Sequence, residues 1–270
     1  IGAIIAAYIL FPIFWLVLAS FKTTGELASL PLTFWPQAPT IEAYTALFDD
    51  TSQSSQLLNW PTLISNSFIV AVSSTIIVVF FGTLAGYAFS RLHFPGRDLI
   101  LGGLLISRMF QGAALLLPTY RLMNSLNLQD SLLGLILLYS AFGLPFATWI
   151  IASSLREIPF ELEESAMMDG ASRMQSMIRI VLPLATPALI TAAMWHFVGA
   201  WSEFAFASIL MESSDNKTVT IGLASFVELF TIEFNRVGAA ATLVAMPIMV
   251  VFFFGQRYFT RGLLAGAVKG

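Results

Sequence analysis

The chain has no cysteine and only two histidines, His93 and His196. A disulfide framework and a thiolate metal site are therefore excluded. The two histidines, one in a loop and one in an apolar run, do not make a metal centre. No G-x-x-x-x-G-K-S/T stretch occurs, so the chain has no phosphate-cradling loop of that kind with which to bind ATP. There is no H-E-x-x-H, and no nucleophile–base pair that would suggest a membrane enzyme. All six aspartates (Asp49, Asp50, Asp98, Asp130, Asp169 and Asp215) lie outside the long apolar runs. That argues against an aspartyl intramembrane protease and weakens a proton-coupled carrier. Charge is scarce, at 11% of residues, where soluble chains carry about 25%. The net charge of -3 gives no sign of nucleic-acid binding. No repeat of 20–50 residues is visible.

What is present is apolar. The chain is 57% hydrophobic with a mean hydropathy of +0.81. This composition predicts an all-α integral membrane protein, because an open strand cannot satisfy its backbone in lipid. The short alternating segments of a β-barrel are absent. A spanning helix needs about 20 mostly apolar residues. Six candidates follow, near 1–21, 63–89, 99–120, 132–155, 184–211 and 237–258. Arg108, Gln111 and several glycines interrupt the third and fourth, which are therefore the weakest of the six. The abrupt apolar start at Ile1, with no basic leader or small-residue cleavage pattern, predicts a trimmed N-terminus and not a signal peptide.

Basic residues predict the orientation. One set of loops and ends holds Arg91, Arg97, Arg156, Arg173, Arg179, Arg257, Arg261 and Lys269, and the other holds Lys22, Arg121, Lys217 and Arg236. The positive-inside rule puts the richer set, and both termini, in the cytoplasm. The external loops are then 22–62, 121–131 and 212–236. The first has a turn-rich part and a short helical stretch, IEAYTALF. The third has a polar tip and then apolar residues. Both are expected to be ordered caps.

The loop at 155–183 has helix grammar. Pro159 suits a first helical turn, and the glutamates after it complement the positive end of the helix dipole. Gly170 supplies a turn, and Ser172 can cap a second helix. Met174, Ile178, Val181 and Leu182 should form one apolar face of that helix, with Arg173, Ser176 and Arg179 on another. Glu157, Glu161 and Glu163 are expected to be solvated or in intrahelical pairs.

Ionisable groups inside spans are functional candidates. Here they are Arg108, His196 and Glu203. His196 and Glu203 are seven positions apart, a spacing that puts them on one helix face. Trp195 and Trp201 flank them, and aromatic faces beside polar groups suit a sugar ring. The alternative is that both tryptophans are packing aromatics and that Glu203 pairs with Arg108 or with a partner chain. Arg108, Met109 and Gln111 make a second possible pathway face.

The 155–183 loop resembles the cytoplasmic "EAA" loop of ABC-importer permeases, E-A-A-x-x-x-G followed by nine residues and I-x-L-P. Here Glu164-Ser165-Ala166 is followed at the same spacings by Gly170 and by Ile180-Val181-Leu182-Pro183, with Ser165 the single departure. The segments ISNSFIVAVSSTIIVVFFGTLAGYAFSRLHFPGR, PTIEAYTALF and RYFTRGLLAGAVKG are similar to parts of the smaller, maltose-type permease of the carbohydrate branch. The resemblance covers the whole chain. It implies a type I importer permease of MetI-like fold, one transmembrane domain over 1–270, working by alternating access without catalytic residues of its own. It also implies a bacterial or archaeal cytoplasmic membrane location. A second homologous permease, two ATP-binding subunits that hold ATP and Mg, and an external solute-binding protein would be its partners. Glu164, Ser165, Ala166, Asp169, Gly170 and Ala171 would dock an ATPase subunit, the third external loop would contact the binding protein, and the tail 266–270 would reach toward the ATPase. The cargo would be a sugar, with a polyol or glycerol phosphate as the alternative. A stand-alone carrier or channel is the competing class. The pathway candidates are Arg108, Gln111, Trp195, His196, Trp201 and Glu203.

Overall fold

A computed structural model describes residues 2–49, 58–110, 112–229 and 234–267. Among them there are helices and no strand. Ile1, residues 50–57, Gln111, residues 230–233 and residues 268–270 lie outside that set. The chain divides into two compact units, 1–68 with 206–250, and 69–205 with 251–270.

The first unit contains α1 (Gly2–Ser20), α2 (Thr24–Ala28), α3 (Glu42–Phe48), the start of α4 (Trp60–Arg91), α11 (Ala205–Leu210), α12 (Val219–Leu229) and most of α13 (Phe234–Ala267). The described residues of the 22–62 and 212–236 segments are folded. The IEAYTALF stretch forms α3, with Ala43 and Leu47 buried. The preceding loop folds around Lys22, which is buried and bonds to the Thr33 carbonyl, with Glu26 3.7 Å away. The Thr33 hydroxyl donates to Glu26 at 2.6 Å and holds that carboxyl below its ordinary range, helped by the Gln37 N–H and the Lys22 ammonium against the opposing effect of burial. The 212–236 loop is tied to α4. Asn66 donates to the carbonyls of Asp215 and Lys217 at 2.7 and 3.0 Å, and Ser67 accepts the Val219 N–H at 2.8 Å. A side chain from a distant helix thus satisfies one orphan donor at the start of α12.

The second unit contains the rest of α4, α5 (Arg97–Ser107), α6 (Ala113–Ser125), α7 (Leu132–Glu157), α8 (Glu161–Met168), α9 (Arg173–Ser176), α10 (Leu182–Trp201) and the end of α13. Its main packing is α7 on α10. Ala147, Ile151 and Leu155 recur every four residues along α7 and meet Val181, Ala185 and Ala192, with Val78 and Tyr87 of α4 completing the core. Helices in lipid associate by close backbone approach, which favours small residues. Gly82 and Gly86 serve that purpose on α4. A Cβ on Gly86 would stand 2.9 Å from Ile151 and 3.1 Å from the Ala152 nitrogen. Gly86→Leu should therefore overpack the α4–α7 contact and destabilise the protein by about 1–3 kcal/mol. Thermal unfolding of the detergent-solubilised protein would register this as a lower midpoint, and an unchanged midpoint would contradict the packing argument.

Four helical stretches among the described residues are long and apolar enough to cross a membrane: Trp60–Arg91, Leu132–Glu157, Arg173–Trp201 and Phe234–Arg257. The other two expected crossings take different forms. Helix α1 has 19 residues, about 28 Å at the α-helical rise, near the thickness of the hydrocarbon layer. The span expected over 99–120 is not one helix. Helix α5 tightens into a 3-10 turn at Arg108–Phe110, and α6 starts after Gly112, whose φ of 116° suits a residue without a Cβ.

Candidate functional site

The 155–183 loop folds as a helical hairpin. Helix α8 ends in a Schellman turn: the Ala171 N–H reaches the Ala166 carbonyl at 3.0 Å, and the Gly170 N–H reaches that of Met167 at 3.1 Å. The turn needs a left-handed residue, and Gly170 supplies it with φ 92°. Ser172 then opens α9 with a capping box. Its hydroxyl accepts the Gln175 N–H at 3.3 Å, and its own N–H donates to the Gln175 side chain at 2.8 Å. The structure brings Glu164, Ser165, Asp169 and Gly170 together as exposed residues, with Ala166 and Ala171 half-buried beside them. Ala166, Asp169, Gly170 and Ala171 line a shallow concavity together with Gln175 and Arg179.

Two expectations for this loop need correction. Glu163 is neither solvated nor paired within its own helix. It is 1% exposed and bonds to Arg91 at 2.5 Å and to the Tyr87 hydroxyl at 2.8 Å, both on α4. Arg91 also donates to the Ile158 carbonyl at 2.9 Å and lies over the Phe160 ring. The hairpin is thus pinned to α4 by a buried ion pair, with Glu163 facing in and Glu164 facing out. The second correction concerns the apolar face. Val181 packs in the core as expected, but Met174 and Ile178 are exposed and Met177 is buried in their place. Ser176, expected on the polar face, is also buried. The cause is a π-helical turn at Met177–Val181, whose i→i+5 bonding inserts a residue and rotates the face away from a 3.6-residue period.

The intramembrane candidates fall into separate places. Helix α10 ends at Trp201, so His196 and Glu203 do not share a helix face. His196 is buried with its Nε2 3.1 Å from the Ser74 hydroxyl, and it sits so close to Gly143 that no larger residue fits there. Glu203 accepts the Tyr139 hydroxyl proton at 2.6 Å. Trp201 is 2% exposed and stacks on Phe197, a packing position. Arg108 and Trp195 do come together, through a residue that the sequence does not single out. The Arg108 guanidinium lies 4.8 Å from the Phe146 ring centre, and Trp195 lies 5.2 Å from the same ring. Trp149 stacks on Phe146 from one turn along α7, at 5.9 Å. Among the described residues no group of His, Cys, Asp and Glu is placed to hold a metal.

Residues 2–264 match the family described as "Binding-protein-dependent transport system inner membrane component". The chain is 34% identical to the sulfoquinovosyl glycerol transport system permease protein SmoH of Agrobacterium fabrum, over 97% of this chain and 89% of that protein. It is 33% identical to the trehalose transport system permease protein SugB of Mycobacterium tuberculosis, over 100% of this chain and 96% of that protein. Its fold resembles that of a chain of a bacterial ABC transporter involved in the import of the acidic polysaccharide alginate. That match has a TM-score of 0.81 and 21% identity, over 95% of this chain and 93% of the other.

Proposed function

The chain belongs to the family of binding-protein-dependent transport system inner membrane components, and from that premise we propose that it is the permease subunit of an ATP-driven importer of a sugar. The named substrates of the two relatives above, sulfoquinovosyl glycerol and trehalose, support the cargo class. In this reading a second, homologous permease completes the pathway. Two ATPase subunits bind ATP and Mg on the cytoplasmic side, and a solute-binding protein delivers the sugar from outside. The basic loops, the hairpin and both chain ends face the cytoplasm.

The observation that carries the reading is the hairpin itself. It presents Glu164 and Gly170 outward, with Ala166 half-buried beside them, while Glu163 fixes its back to α4. A loop built this way is a rigid lever and not a tether. Small residues at Ser165, Ala166 and Ala171 allow close seating on a partner, and Glu164 offers a charge to a cation there. Closure of the ATPase pair would move this lever and switch the permeases between inward-facing and outward-facing states. Arg108 and Trp195 belong to the pathway in this reading, and His196, Trp201 and Glu203 hold its walls. Reconstitution in proteoliposomes tests the proposal. Sugar uptake should require both the ATPase subunits and ATP. Undiminished uptake by the permease pair without them would identify a stand-alone carrier instead.

A further inference from the structure

Arg108 poses a problem that its surroundings sharpen. It lies in an expected membrane span, yet no carboxylate among the described residues pairs with it. Its distance from the helix ends follows from nearby contacts. Arg156 binds Asp98 at 2.7 Å and the Phe89 carbonyl at 3.3 Å, which brings one end of α4, α5 and α7 to a common level. Arg108 is ten positions beyond Asp98 along α5 and its closing turn, and Phe146 is ten positions before Arg156 on α7. Ten helical residues span about 15 Å, half of a hydrocarbon layer about 30 Å thick. A charge that far along an apolar helix from the Arg156–Asp98 contact is costly to leave facing lipid tails.

The surroundings name the kind of counter-charge. The guanidinium is held over Phe146 by a cation–π contact, which engages its charge without consuming its N–H donors. Trp149 and Trp195 flank the same ring and are 38% and 54% exposed. Partly exposed indoles offer apolar surface to the C–H face of a pyranose. A preorganised guanidinium accepts a carboxylate or sulfonate through paired N–H bonds. We propose that Arg108, Phe146, Trp149 and Trp195 form a subsite in the translocation pathway for a saccharide that carries an anionic group, the ring lying on the indoles and the anion on Arg108. This rests on the sugar-importer reading and narrows its substrate class. Phe146 is a positioning residue that holds the guanidinium, and the two tryptophans touch the sugar.

The test uses the complete importer in proteoliposomes with its own binding protein, comparing a uronic-acid-containing disaccharide with trehalose and maltose. The acidic sugar should be taken up in preference. Arg108→Gln should lower its uptake relative to the neutral sugars by about tenfold to a hundredfold, the effect of losing a charge-assisted hydrogen bond. Arg108→Lys should retain part of the preference. Trp195→Ala should depress uptake of acidic and neutral sugars alike. Equal selectivity in wild type, Arg108→Gln and Arg108→Lys, with neutral sugars still carried, would overturn the subsite and leave the importer reading standing. Failure of the two permeases to assemble in Arg108→Gln, rescued by Arg108→Lys, would identify a partner carboxylate as the counter-charge and also overturn it. If no saccharide of either kind is carried, the importer reading falls as well.

Discussion

Glu163→Ala is expected to destabilise the protein by about 3–5 kcal/mol, the typical cost of removing one partner of a buried ion pair. The magnitude follows from what stays behind. Arg91 is 7% exposed at its side chain and would keep its charge with no carboxylate facing it. The Tyr87 hydroxyl would lose its acceptor in the same step. The remaining bonds of Arg91, to the Ile158 carbonyl and across the Phe160 ring, cannot replace a full charge. Glu163→Gln keeps the shape and one acceptor oxygen, so it should cost less than Glu163→Ala. The double substitution Glu163→Leu with Arg91→Met should recover most of the loss, because well-packed apolar residues can replace a buried pair at little net cost. Thermal unfolding in detergent reads all three. Equal midpoints for wild type and Glu163→Ala would mean that the hairpin is not held at this point.

This pair also marks a limit of reading the chain as a sequence. The helical hairpin is legible because its determinants are local. Gly170 must adopt a left-handed conformation, and Ser172 and Gln175 cap each other within one turn. The all-α membrane class is legible because lipid imposes it on any chain this apolar. Glu163 is not legible, because its partner Arg91 is 72 positions away and nothing in its own helix distinguishes it from Glu161 or Glu164. The shifted apolar face has a different cause. A π turn leaves no compositional mark, so Met174 and Ile178 satisfy a 3.6-residue period that the backbone does not keep. The separation of His196 from Glu203 follows from the end of α10 at Trp201, just before Ser202 and Glu203 break the apolar run. Phe146 and Trp149 are not legible, because a lone aromatic in an apolar span is ordinary. Only the positions of Arg108 and Trp195 give them meaning.

Gly170→Pro is the second substitution with a large expected effect, and it separates folding in the membrane from coupling. Proline fixes φ near −65°, whereas Gly170 stands at 92°. It also removes the N–H that bonds to the Met167 carbonyl. The residue before a proline is driven out of the helical region, and Asp169 here sits at φ −78° and ψ 6°. The Schellman turn is therefore lost, at a local cost of roughly 3 kcal/mol or more. The spanning helices contain none of these bonds, so the protein should still insert. What changes is the outer face, where Ala166, Asp169 and Ala171 depend on the turn for their mutual placement. Uptake in cells should fall to background, and ATPase subunits should no longer co-purify with the permease. Gly170→Asn, which tolerates a left-handed conformation, should keep most of the transport. Glu164→Lys should also abolish uptake, but with the turn intact, because it reverses one exposed charge and breaks none of these bonds. Cleavage of the purified permease, without ATPase subunits, by a protease that does not cut at lysine distinguishes the two: raised at the turn in Gly170→Pro, unchanged in Glu164→Lys. Normal uptake in Gly170→Pro cells would show that the hairpin does not transmit the ATPase stroke.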